Sequence, residues 1–182
     1  MITQVQPRVS TWTIDPTHTI AEFSVKHMMV STVKGRFRQL SGTIQLDEDD
    51  PTRSSVEVEI DTASVDTALE ERDNHLRSDD FFNAERFPTI TFHSTGIDQL
   101  DDDNYLISGD LTIRDVTKEV VLATELEGQG PDAYGGHRAG FTATTTINRH
   151  DFGLNWNALI EAGGVAVGDK VKITLHVEAI RQ

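Results

Sequence analysis

The sequence predicts an all-β chain in which eight long antiparallel strands close on themselves as an extended barrel. Three observations carry this: period-two alternation of apolar and polar residues recurs along the chain, turn-like separators divide the runs, and several runs reach about ten residues where roughly 5–6 are usual. Each run has one apolar face to hide, and closure hides it without leaving free edges. Short separators join neighbours as hairpins rather than through crossover helices. An up-and-down barrel is therefore favoured over a two-sheet sandwich.

A short leading strand, T-W-T-I-D, falls at 11–15. Residues 19–28 place Ala21, Phe23, Val25 and His27 on one face, and residues 36–46 do the same with Leu40, Gly42, Ile44 and Leu46. Val56, Val58 and Ile60 alternate with acidic and serine residues across 54–61. The pattern returns at 104–114, 138–148 and 170–179, and less strictly at 89–98 and 118–127. The separators are D-E-D-D-P-T at 47–52, D-D-D-N at 101–104 and G-Q-G-P-D-A-Y-G-G from 128. One helix is expected at about 67–77, opened by a capping box of Thr67 and Glu70, with Asp73 and Arg77 paired on its surface. A helical turn is expected at about 28–33. Residues 1–10 read as a flexible N-terminus and 11–182 as one domain.

The chain has 182 residues and a formal charge of −14, from 16 basic and 30 acidic side chains. Such a net charge repels nucleic acid and anionic leaflets, so neither partner is expected. With no cysteine, disulfides, thiolate metal sites and cysteine nucleophiles are excluded. No secretory leader and no membrane span is visible, which makes the cytoplasm the expected location; a periplasmic one would require a leader already removed.

An eight-stranded barrel is either packed solid or holds one ligand. A solid core calls for large residues at nearly every inward position. Ala21, Gly42, Gly109, Ala143 and Thr145 are small, as are Ser94 and Gly96 on one registration. These small residues predict a hollow interior; sheet curvature and bulges are the competing explanation. The occupant would be long, apolar and thin. Its tail is assigned to Phe23, Val25, Met28, Met29, Phe81, Phe82, Phe141 and Ala143, and its polar head to His27 and Arg149, which fall at strand ends. A hydrogen-bonded core histidine explains His27 equally well, and an ion pair with Asp151 or a helix carboxylate explains Arg149 equally well.

Six stretches resemble the YceI-like family of bacterial lipid-binding proteins: W-T-I-D-P-T-H-T-I-A-E-F-S-V-K-H (12–27), G-R-F-R-Q-L-S-G-T-I (35–44), R-D-N-H-L-R-S-D-D-F-F-N (72–83), F-P-T-I-T-F-H-S (87–94), G-D-L-T-I-R-D-V-T-K (109–118) and I-N-R-H-D-F-G-L-N-W (147–156). Thr19, Asp115 and Glu119 depart from the family pattern. The resemblance implies a lipocalin-like barrel holding a polyisoprenoid or similar lipid, with a homodimer as a common state. The family's R-D-x-H-L block falls on Arg72, Asp73, His75 and Leu76 of the expected helix, where Arg72 and Asp73 fixing the helix to the barrel with Leu76 packing down is favoured over catalysis.

No nucleophile-elbow, zinc-protease or phosphate-loop motif occurs, so no catalytic residue and no cofactor beyond a bound lipid is expected. The acidic runs 47–50 and 101–103 lack spaced calcium ligands and read as solvated turns, and the seven histidines lack zinc spacing, so no metal is expected. The rival to a lipid carrier is an enzyme acting on a lipid-like substrate, with His27 or His75 as general base.

Overall fold

A computed structural model describes residues 6–160 and 164–182. The strands are β1 (Val9–Ile14), β2 (Ile20–His27), β3 (Ser31–Phe37), β4 (Leu40–Asp47), β5 (Ser55–Asp61), β6 (Val65–Asp66), β7 (Thr89–Gln99), β8 (Asn104–Ile113), β9 (Val116–Pro131), β10 (His137–Asn148), β11 (Leu159–Ile160), β12 (Gly164–Val165) and β13 (Val167–Arg181). The single α-helix among the described residues is α1, Glu70–Arg77.

Eight long strands emerge once three breaks are bridged. β13 pairs with β2 along its first part and with β1 along its last, so β1 and β2 form one interrupted strand. β3 and β4 do the same beside them, followed by β5 and β6. β7, β8, β9, β10 and β13 complete the circuit through antiparallel pairs, and β13 closes it. The result is the closed eight-stranded antiparallel barrel the alternation predicts. Of the expected flexible N-terminus, 1–5 lie outside the described residues, whereas Val9 and Ser10 already pair with β4.

The first break has a visible cause. Between Ile14 and Ile20 the chain spends six residues where β13 spends three, from Ala179 to His176. The excess loops out and is pinned: the Asp15 amide donates to the Glu178 carbonyl at 2.8 Å, and the Glu178 amide donates to Thr19 Oγ1 at 3.1 Å. Asp15 is buried and accepts from the Thr17 amide and hydroxyl, from His18 Nδ1 at 2.8 Å and from Arg138 Nη1 at 2.9 Å. The His18 and Thr17 hydrogen bonds hold its carboxyl well below the usual carboxylate range. A carboxyl depressed in the folded state stabilises fully above its unfolded pKa, about 4, and that contribution fades as the pH falls from there toward the folded value. Urea midpoints of Asp15→Asn should accordingly be lower than wild type at neutral pH and fall less steeply below pH ~4. Parallel midpoint curves for the two proteins would discount the carboxylate.

β6 has no strand on its outer edge among the described residues, and α1 covers it. Arg77 of α1 donates to the carbonyls of Ala63 at 2.8 Å and Val65 at 3.0 Å. The helix starts later than the capping box predicts. Thr67 does not cap it; its amide and hydroxyl donate to Asp73 Oδ1, and Arg72 donates to the Thr67 hydroxyl and carbonyl. The N-cap position is Leu69, with no side-chain cap bond. The Asp73–Arg77 surface pair does not form either, because Asp73 is buried against Thr67 while Arg77 reaches β6. The expected helical turn at 28–33 is instead a tight turn over Met28–Val30 followed by β3.

Two of the small inward residues are not vacancies. A Cβ on Gly109 would stand 2.4 Å from Phe92 Cζ and 2.6 Å from the His93 carbonyl oxygen, and one on Gly42 would stand 2.6 Å from both Ile14 Cδ1 and the Glu57 carbonyl. Large neighbours lie across these glycines. Because one obstacle is backbone, Gly109→Ala should cost about 1–3 kcal/mol in denaturant unfolding. Gly96, where added atoms meet nothing within 4 Å, should tolerate alanine far better. Ser94 lies at a register shift and accepts from the Val56 amide at 2.8 Å.

Candidate functional site

The inward faces of the eight strands do not meet. They enclose a cavity of about 590 Å³ along the barrel axis, within the roughly 300–1,000 Å³ range of ligand pockets. On β13, Val171, Ile173, Leu175 and Val177 line it, while Lys172 and His176 between them face out. These inward residues are only half-buried. Their partners across the axis are too distant to cover them, and the uncovered surface belongs to the cavity. Along β13 the lining runs from Val167 to Arg181. At about 3.3 Å per residue and a strand tilt near 40°, the stretch from Val171 to Arg181 alone spans on the order of 25 Å.

One end of the channel is lined by Val25, Val167, Leu154 and Arg149, with Leu76, Phe81 and Phe82 delivered by α1 and the turns after it. His75 sits behind them, its ring edge-on to Phe81 at 5.0 Å and to Trp156 at 4.7 Å, and Nε2 lies 2.8 Å from Asp80. Arg72, Asp73 and Arg77 thus fix the helix, and Leu76 with the two phenylalanines closes the gap between β6 and β7. The other end is lined by Trp12, Leu46, Leu126, Gln129, His137 and Arg181. There the Trp12 and His137 rings meet edge-on at 5.6 Å, and Arg181 pairs with Glu48 at 2.6 Å. The side chains of Gln129 and His137 make no hydrogen bond among the described residues.

Of the expected tail residues, Phe23, Val25, Phe81, Phe82, Phe141 and Ala143 line the cavity together. Met28 and Met29 do not. They occupy the β2–β3 turn outside the channel, with φ of 49° and 61° and exposures of 43% and 67%. His27 is corrected likewise: the strand alternation points it inward, but the sheet ends there and the ring is exposed outside the lining. Arg149 lines the cavity, but four of its five guanidinium N–H donors already serve backbone carbonyls. Nε donates to the Gly168 carbonyl at 2.8 Å, Nη1 to Leu154 at 2.6 Å and Trp156 at 2.9 Å, and Nη2 to Val167 at 3.3 Å. It makes no bond to Asp151 among the described residues; instead it ties the carbonyls of Leu154, Trp156, Val167 and Gly168 to the end of β10. Burial pushes this guanidinium below its ordinary value.

Sequence reasoning placed Gln129 and His137 in a loop and missed them. β9 and β10 continue to Pro131 and from His137, which puts both residues on the barrel wall; the turn between is closed by Asp132, which accepts from the amides of Tyr134 and Gly136. The fold also gathers Asp15, His18 and Glu178, whose ligand atoms lie within 4.8 Å of one another. Arg138 already supplies the cation there, bonded to Asp15, Asp132 and Glu178.

A family model described as YceI-like domain matches residues 12–179. The chain is 42% identical over 165 residues to a UPF0312 protein of Pseudomonas aeruginosa (strain LESB58), covering 91% of this chain and 83% of that one. It is 41% identical, with the same coverage, to Protein YceI of Escherichia coli O17:K52:H18. Among solved structures, a YceI protein of Campylobacter jejuni superposes with a TM-score of 0.75 at 33% identity, covering 86% of this chain and 90% of that one. BcnA of Burkholderia cenocepacia gives a TM-score of 0.79 at 22% identity over 91% and 98% of the two chains. A structure described as a polyisoprenoid binding domain from Saccharophagus degradans gives 0.69 at 17% identity over 92% and 97%. The last two show the shared fold.

Proposed function

Since this chain belongs to the YceI-like family, we propose that it binds one long apolar lipid of polyisoprenoid, quinone or fatty-amide type inside the barrel, as a carrier, storage or stress-related protein. The observation that carries this reading is the axial cavity, walled by apolar side chains from every long strand. An apolar void of this size left empty is costly, at roughly 24 cal/mol per Å³, and a lipid tail removes that cost while burying its own surface. The polyisoprenoid binding described for the Saccharophagus degradans neighbour supports the choice of cargo. The head group belongs at the Trp12 end, where Gln129 and His137 offer polar side-chain atoms that make no hydrogen bond among the described residues, because at the opposite end Arg149 is bound to its own backbone. The reading is of a binding protein rather than an enzyme: His27 and His75 lie outside the lining, and His137, which lines it, has no carboxylate to orient it as a general base among the described residues.

Native mass spectrometry of protein purified without added lipid tests it. A lipid-sized mass should accompany the barrel and leave on denaturation. Protein that is bare in repeated preparations, and that takes up no prenyl or quinone lipid when offered, would overturn the proposal.

A further inference from the structure

The end of the barrel beside Val25 and Val167 carries an apolar lip that the channel does not use. Its tip is the turn Met28–Met29–Val30, closed by the Val30 amide donating to the His27 carbonyl at 3.1 Å. Both central residues have positive φ, 49° and 61°. Asn-Gly is the ordinary sequence for such a turn, since it takes this conformation at little steric cost. Here the strained positions hold two methionines, and Val30 beside them is 85% exposed. Leu159, 90% exposed, stands next to them, because the hydrogen bonds Met28 N to Ala166 O and Ala166 N to Ala158 O tie the two segments together at 2.9 Å each. Neither backbone comfort nor core packing calls for four large apolar side chains in water at one tip.

The charge around this lip is opposite to that of the whole molecule. Four of the five lysines, Lys26, Lys34, Lys170 and Lys172, lie on the adjoining strands β2, β3 and β13. In register, Lys34 and Lys172 flank Ser24 on either side, so they share the outer face with Lys26 two residues on. All four are exposed and none pairs with a carboxylate among the described residues; Lys26 donates only to Thr32 Oγ1, at 3.3 Å. Among the described residues, Glu22 stands opposite Arg36 in register, Asp66 meets Arg36 and Arg38, and Asp169 meets His150, while Asp151 pairs with no cation, leaving four lysines against one acid that faces no other cation. The net charge of −14 weighs against an anionic leaflet only at long range. Within a Debye length, about 8 Å in physiological salt, these local lysines dominate.

We propose that the Met28–Met29–Val30–Leu159 lip, with the four lysines on the strands beside it, docks on the surface of an anionic lipid bilayer, the apolar tips entering the headgroup boundary and the lysines meeting phosphates. The docking goes beyond the cargo reading and is measured separately. It sets the apolar end of the channel against the bilayer, the orientation in which a lipid tail can pass between the two without crossing water.

The test is co-sedimentation of the full chain with vesicles of phosphatidylcholine mixed with phosphatidylglycerol, and with vesicles of phosphatidylcholine alone. Wild type should bind the mixed vesicles, and the binding should weaken with salt and on neutral vesicles. Lys26→Gln/Lys172→Gln should weaken it about fivefold for each lysine removed. Met28→Asn/Met29→Gly removes the apolar tip while giving the turn its preferred residues; it should lose at least about tenfold in binding with no fall in Tm. Absence of wild-type binding, or equal binding by the Asn-Gly variant, overturns the proposal. So does a wild-type dimer that ignores vesicles and dissociates in that variant, which would make a second copy the occupant of the lip. Mass spectrometry of the same preparations keeps the readings apart: a lipid-filled barrel that ignores vesicles defeats docking alone, and an empty one that sediments defeats cargo alone.

Discussion

Replacing Ala143 with phenylalanine is expected to abolish lipid retention and, in delipidated protein, to raise stability rather than lower it. Ala143 lies on β10 between Thr124 and Leu175 of the neighbouring strands, and its methyl group lines the channel. In a solid core, inserting a ring at a residue only 4% exposed would overpack it and cost about 1–3 kcal/mol. In a hollow barrel the ring extends into free space and buries itself against Leu122, Ile147 and Leu175, gaining up to about 1.5–3 kcal/mol. At about 2–4 °C per kcal/mol for a chain of this size, the delipidated variant should melt several degrees higher. The same ring displaces several methylenes of a tail at about 0.8 kcal/mol each, so affinity should fall at least about a hundredfold. Calorimetry on stripped protein and native mass spectrometry on unstripped protein read the two effects. A lower Tm together with unchanged lipid retention would show that position 143 faces packed protein.

The eight strands were legible because a closed sheet imposes one rule on every residue, and Val171-Ile173-Leu175-Val177 obey it as clearly as Val56-Val58-Ile60. What period two does not mark is where a wall ends. His27 continues the alternation of Ala21, Phe23 and Val25, yet the sheet stops beneath it and the ring faces water. The converse error hid His137. Its alternation with Ala139, Phe141 and Ala143 was present in the sequence, but the glycines before it drew the loop boundary too far along. Small inward residues were a mixed signal for hollowness. Gly42 and Gly109 are covered by Ile14 and Phe92, whereas Ala21, Ala143 and Thr145 do border the cavity. The difference lies in which neighbour leans over each position, a property of pairing partners distant in sequence. The helix followed from local pattern, but its start did not, because the Thr67 hydroxyl bonds Asp73, and that choice depends on burying Asp73 beside β6.

Arg149 separates structure from ligand binding most sharply. An inward arginine at a strand end reads equally well as the partner of a charged head group or as a clamp, since only the location of its acceptors distinguishes the two. Its acceptors are four carbonyls of residues 154, 156, 167 and 168, and the residue is 3% exposed. Arg149→Met keeps most of the side-chain volume and removes every donor, stranding carbonyls that water reaches poorly at about 1–3 kcal/mol each before relaxation. A total loss of about 3–5 kcal/mol in urea unfolding is expected, or on the order of 10 °C in Tm. Arg149→Lys should recover less than half of that loss, because a single ammonium cannot span carbonyls that the planar fork reaches on two sides. At temperatures where the methionine variant remains folded, lipid retention should stay near wild type, since the channel wall it leaves is apolar. Loss of retention with stability intact would return Arg149 to the head group and make its backbone contacts incidental.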